Sequence, residues 1–133
     1  MNLFIKHILL IDDDPYVRAF VRHTLNRAGY AVSEAVNGRE GLRLYAAERP
    51  DCVITDLYMP EKEGLETIQE MRRHTHQAPI IAISGGADAY QPNFLKAAML
   101  LGADSILRKP FTIEELLAQL RSVLPDDGAT ATG

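Results

Sequence analysis

The stretch VITDLYMPEKEG runs from Val53 to Gly64. Together with Cys52 it opens on an apolar, β-branched run, CVIT, that stops at Asp56. A strand with one solvated face alternates apolar and polar residues. A strand covered on both faces reads as a continuous apolar run. CVIT therefore predicts a strand in the middle of a sheet with helices above and below. A carboxylate is costly in such a core, so Asp56 belongs where the strand reaches the rim.

The same pattern recurs on both sides of this stretch. HILLI (His7 to Ile11) is a second fully buried strand, YAVSEA (Tyr30 to Ala35) a more polar one near an edge, PIIAIS (Pro79 to Ser84) a fourth, and SILR (Ser105 to Arg108) a short fifth. Helical patterns separate them. Asp14 caps a helix that has Pro15 in its first position, an apolar stripe of Val17, Phe20, Val21, Thr24, Leu25 and Ala28, and an end at Gly29. Asn37 and Glu40 begin another, carrying Leu42, Tyr45 and Ala46 and stopping before Pro50. Glu63 to about His74 forms a third with Leu65, Ile68 and Met71 inward. A fourth runs from Phe94 to Leu101 and ends at Gly102. A capping box of Thr112 and Glu115 starts the last, whose stripe is Ile113, Leu116, Leu117, Leu120 and Leu124. Strict alternation of strand and helix implies a parallel sheet, doubly wound, with right-handed crossovers.

The bulk composition agrees. The chain has 133 residues, 47% hydrophobic and 24% charged, enough for one domain with a real core. We place that domain over residues 1–124 and read PDDGATATG, Pro125 to Gly133, as a disordered tail. The net charge of −4 argues against direct nucleic-acid binding. A single cysteine, Cys52, can form no internal disulfide and reads as buried and inert. The N-terminal stretch lacks a signal peptide, and no run approaches the ~20 apolar residues of a membrane span. The expected location is cytoplasmic, away from membranes.

In an open α/β sheet, ligands bind beyond the carboxyl ends of the strands. The residues there are Asp12, Asp13 and Asp14 after the first strand, Asp56 after the third, Ser84 after the fourth, and Arg108 and Lys109 after the fifth. Clustered carboxylates must share a proton or a cation. An all-oxygen donor set suits Mg²⁺, which keeps waters and also takes a phosphate oxygen. Lys109 supplies a mobile positive charge and Ser84 a hydroxyl, both suited to phosphate. An aspartate can attack phosphorus and become an aspartyl phosphate.

LLIDDD, DLYMPEKEG, the ISG step and RKPF, in this order on five βα units, resemble the receiver domain of bacterial two-component response regulators. The resemblance covers about Lys6 to Leu124. It implies a flavodoxin-like strand order 2-1-3-4-5 and a phosphorylation-controlled signalling switch. It makes Asp56 the phosphoacceptor, with Ser84 and Lys109 holding the phosphoryl group. It makes Asp13 a direct Mg²⁺ ligand, Asp12 a ligand through water, and the backbone carbonyl of Tyr58 a further one. It also implies a cis Lys109–Pro110 bond. The donor would be a sensor histidine kinase or a histidine phosphotransfer protein, and the reader a downstream protein partner. No enzymatic activity is expected beyond self-phosphorylation and autodephosphorylation.

Plainer readings compete at each position. Asp56 could cap a turn, Asp14 is better explained as a helix cap than as a metal ligand, and Lys109 or Ser84 alone would be a surface residue. His74 and His76 read as a solvated loop, and Arg72 and Arg73 as a C-terminal charge pair on a helix. Two features depart from the family. Ile106 stands where an aromatic residue is usual. Ser84 and Lys109 lie a few positions farther apart than usual, which places extra length in GGADAYQPN and makes Tyr90 or Phe94 a candidate substitute for the missing ring. Gly85 and Gly86 leave the pocket open on one side. The competing function is a Mg²⁺-dependent phosphatase using an aspartyl phosphate. Such enzymes commonly carry a second acid two residues after the nucleophile, where this chain has Tyr58.

Overall fold

The structure, a computed structural model, describes residues 5–58, 64–85 and 92–124. The strands are β1 (His7–Ile11), β2 (Ala31–Ala35), β3 (Cys52–Asp56), β4 (Ile80–Ser84) and β5 (Ser105–Arg108). The helices are α1 (Pro15–Arg27), α2 (Gly38–Glu48), α3 (Gly64–Met71), α4 (Pro92–Leu101) and α5 (Ile113–Val123). The sheet is five-stranded, all pairs parallel, in the order β2-β1-β3-β4-β5. The expected doubly wound α/β fold is therefore present. The proposed tail, Tyr90 and most of the two long loops fall outside the described residues, as does the side chain of Phe94.

Period-two alternation in the central strands divides the core into two layers. Ile8, Leu10, Cys52, Ile54, Ile81 and Ile83 face one way and pack with Val21 and Leu25 of α1 and Leu116 and Leu120 of α5. Leu9, Ile11, Val53, Ile80 and Ala82 face the other way, onto Tyr45 of α2, Ile68 and Met71 of α3, and Leu95 and Ala98 of α4. Both faces of β1, β3 and β4 are thus covered, which is why their sequences carry no polar alternation. Cys52 is fully buried, and burial pushes its thiol up to about 12, so it is inert at neutral pH. No helix among the described residues is long and apolar enough to cross a membrane.

The capping assignments hold. Asp14 accepts from the backbone N–H of Tyr16 at 2.9 Å, and Pro15 opens α1. Asn37 accepts from Glu40 N–H at 2.8 Å. Thr112 and Glu115 exchange reciprocal bonds of 3.0 and 2.8 Å. Gly29 follows α1 with a positive φ of 97°, the left-handed conformation that glycine adopts without strain.

Several inward assignments need correction. Phe20 is 41% exposed because it turns from the sheet toward Phe111, with ring centroids 6.2 Å apart. Ala28 and Ala46 are exposed, and Ile113, in the first position of α5, is 46% exposed. α3 ends at Met71 rather than near His74, while Leu65 packs against the core, partly buried, as expected. His76 is a packed residue, its Nε2 2.6 Å from the Pro50 carbonyl and its ring 5.5 Å from that of Tyr45.

Arg72 is not a simple charge on a helix end. Its guanidinium donates to the carbonyls of Gly102 at 2.7 Å and Ala78 at 2.7 Å, and to Asp104 at 2.8 Å. It thereby clasps the chain after α3 to the starts of β4 and β5. Arg72→Met strands these part-buried carbonyls and is expected to lose about 1–2 kcal/mol in urea denaturation, the cost of partly desolvated acceptors left unpaired. A change within a few tenths of a kcal/mol would mean that the clasp holds nothing.

Candidate functional site

β1 and β3 are neighbours in the sheet, with Ile11 opposite Thr55, so Asp12 and Asp13, just past β1, and Asp56, the last residue of β3, emerge side by side at one rim. One carboxylate oxygen from each of Asp12, Asp13 and Asp56 lies within 4.8 Å of the others. β4 and β5 deliver the remaining candidates, since Ser84 pairs with Arg108 and Lys109 N–H donates to the Ser84 carbonyl at 2.8 Å. The topology thus assembles acids and a base that the sequence scattered over nearly a hundred positions.

The environments differ sharply. Asp12 is fully buried, Asp13 is exposed, and Asp56 keeps 7% of its surface at the mouth. Asp56 Oδ1 accepts from Tyr58 N–H at 3.1 Å, so it does cap a turn with one oxygen. Asp12 Oδ1 accepts from Asp14 N–H at 2.9 Å, while Asp12 Oδ2 and Ser84 Oγ are buried with no hydrogen-bond partner. Burial is the main cause that raises Asp56 to about 6, with Asp12 and Asp13 adding to it; the Tyr58 N–H and the Lys109 ammonium oppose the rise. Asp12 is also raised, again chiefly by burial, and Lys109 again opposes. Desolvated, mutually repelling carboxylates with an orphaned oxygen are the donor set that a hard divalent cation relieves.

Two glycines shape the site by close approach. A Cβ on Gly64 would lie 2.5 Å from the Leu57 Cα and 2.7 Å from the Asp56 carbonyl oxygen, so α3 can return against the end of β3 only there. A Cβ on Gly85 would lie 2.7 Å from the Lys109 Cδ. Gly85 therefore makes room for the Lys109 stem, and its position directly after a strand was the available signal. Lys109–Pro110 is cis. Ile106 is partly buried against the α2–α4 layer, and its carbonyl accepts from Gln119 Nε2 at 2.8 Å. Asp14 serves as the cap of α1, as its place before Pro15 implied.

A contact missed at the sequence level lies behind the acids. Arg18 Nη1 donates to the Asp12 carbonyl at 2.9 Å and Nε to Glu34 at 3.3 Å. Its only signal was an arginine one helical turn after Asp14.

Comparison with known proteins agrees with this geometry. Residues 8–121 match the model of the response regulator receiver domain. The chain is 42% identical over 126 residues to Response regulator MprA of Mycolicibacterium vanbaalenii, covering 92% of this chain and 53% of that protein. It is 39% identical to Response regulator MprA of Mycobacterium leprae, covering 92% and 54%. The chain thus spans about half the length of these curated relatives. The solved chemotaxis protein CheY4 of Vibrio cholerae superposes with a TM-score of 0.84 at 34% identity, covering 90% of this chain and 99% of that one. A signal receiver domain from Bermanella marisrubri gives a TM-score of 0.82 at 30% identity, covering 90% and 98%. From the acidic rim, the strand order and these matches together, the chain belongs to the response regulator receiver domain family.

Proposed function

We propose that Asp56 accepts a phosphoryl group from a histidine kinase or a histidine phosphotransfer protein in the cytoplasm, and that the modified rim alters a surface read by a protein partner. The observation that carries this reading is the convergence of Asp12, Asp13 and Asp56 within 4.8 Å, with the Lys109 charge acting on Asp12 and Asp56. In the transfer, an Asp56 carboxylate oxygen forms a bond to phosphorus as the phosphorus–nitrogen bond of the donor phosphohistidine breaks. The bonding pair leaves with the imidazole nitrogen. Asp56 must be ionised to attack, and with its pKa raised to about 6 it is mostly so at neutral pH. Lys109 places its ammonium beside the developing charge, and the free Ser84 hydroxyl is a donor for a phosphoryl oxygen. Asp12, Asp13, Asp56 and the Tyr58 carbonyl would hold Mg²⁺, which when bound neutralises carboxylate and phosphoryl oxygens together. The phosphatase reading gains nothing from the site, where Tyr58 occupies the position of the second acid.

Incubation with acetyl phosphate and Mg²⁺, followed by intact-mass analysis, tests the reading. The expected result is one phosphoryl adduct in Mg²⁺ and almost none in EDTA. Lys109→Ala is expected to slow adduct formation by about 10²-fold, the scale of losing one preorganised charge partner. Equal adduct formation in EDTA, or a Lys109→Ala rate matching wild type, would count against these roles.

A further inference from the structure

Arg18 occupies an unusual place for a cation. It lies on α1, its side chain 18% exposed, directly behind a cluster of acids, yet it forms no ion pair with Asp12, Asp13 or Asp56 among the described contacts. Its charge is satisfied instead by Glu34 on β2, which Arg22 also holds at 2.8 Å. Its Nη1 is spent on a neutral acceptor, the Asp12 carbonyl. That carbonyl belongs to the Asp12–Asp13 peptide. On the other side of Asp12, the backbone N–H donates to the Ala35 carbonyl at 3.1 Å. Both peptide planes flanking Asp12 are therefore fixed from outside the turn. Because a peptide unit is planar, fixing its carbonyl also fixes the direction in which Asp13 leaves.

We propose that Arg18, held in place by Glu34, is a positioning residue for divalent-cation binding: it orients the Asp12–Asp13 peptide so that both carboxylates converge on Asp56. The inference deepens the metal-binding role assigned to these acids and rests on it. Groups that orient ligands from behind typically change metal affinity by about 10–100-fold. Arg18 touches the ligand's backbone rather than its carboxylate, so the lower end applies.

The sign of the effect separates positioning from plain electrostatics. Removing a positive charge near a cation site strengthens cation binding by Coulomb's law. Losing the orientation of two ligands weakens it. Arg18→Gln is thus expected to bind Mg²⁺ about tenfold more weakly, read as the midpoint of an NMR shift titration of backbone amides around Asp13 and Gly85. Arg18→Lys keeps the charge but loses the planar fork that spans Glu34 and the carbonyl, and is expected to weaken binding in the same direction. It serves also if Arg18→Gln does not fold. Arg72→Gln, at the opposite end of the sheet, lowers stability without touching the acids and is expected to keep the wild-type midpoint. Unchanged or tighter binding in the Arg18 variants overturns the positioning role, as does equal weakening in Arg72→Gln. No Mg²⁺-dependent shift in wild type would overturn the metal site itself, and this inference with it.

Discussion

Asp56→Asn is expected to lose all phosphoryl acceptance and yet to unfold at higher urea than wild type in metal-free buffer at pH 7. The second effect follows from the raised pKa. The folded Asp56 carboxyl titrates at about 6 against an ordinary value of 3.8. Below pH ~4 the group is protonated in both states. Between ~4 and ~6 the unfolded chain releases its proton while the folded chain retains it, so stability falls as pH rises through this window. The loss by pH 7 is about 3 kcal/mol at most, at ~1.4 kcal/mol per pK unit. An asparagine in this place cannot ionise, and its side-chain oxygen can still accept from Tyr58 N–H. The variant should therefore match wild type near pH 4 and exceed it by about 1–3 kcal/mol near pH 7. On the proposed metal site, Mg²⁺ should narrow the gap, since it would bind the folded wild type through the carboxylate that the variant lacks. Urea melts at the two pH values, with EDTA and with Mg²⁺, read the whole pattern. A variant less stable than wild type at pH 7 without metal would mean that Asp56 is not under electrostatic stress.

Gly64→Ala is expected to be the more damaging of two similar changes at glycines beside the site. The new Cβ would meet backbone, the Leu57 Cα at 2.5 Å and the Asp56 carbonyl at 2.7 Å, and backbone of a central strand cannot step aside. Overpacking of this kind costs about 3 kcal/mol, at the upper end of its usual range. For a domain of this size that corresponds to a melting temperature lower by about 10 °C. Gly85→Ala meets the flexible part of Lys109 and should cost less stability while displacing the ammonium. Thermal melts of both variants check the ranking. If Gly64→Ala melts with wild type, α3 does not approach the end of β3 as described.

The legible parts of this molecule are those in which one residue type has one good place. Continuous apolar runs found β1, β3 and β4 because only a strand covered on both faces needs them. Asp14, Asn37 and Thr112 marked three helix starts because their side chains satisfy N–H groups that the helix cannot. The residues gathered at the rim followed once the strands were placed, since a parallel sheet brings all carboxyl ends of its strands to one side. Side-chain reach was less readable. Phe20 and Phe111 are far apart in sequence, and nothing local foretells that one will turn toward the other. Arg72 had the sequence signature of a surface charge, and only the fold brings the Ala78 and Gly102 carbonyls within its reach. Arg18 was hidden for the same reason: its acceptor is a main-chain carbonyl, and a sequence writes every main-chain carbonyl alike.

On the proposed function, folding singles out Asp56, among three adjoining carboxylates, to carry the phosphoryl group. Treating the protein with a small-molecule phosphodonor and Mg²⁺, reducing the acyl phosphate with borohydride, and mapping the product by peptide mass spectrometry tests it directly. Conversion of position 56 alone to homoserine, absent when EDTA replaces Mg²⁺, is the predicted result. Homoserine at position 12 or 13, or conversion at position 56 that ignores the metal, would contradict it.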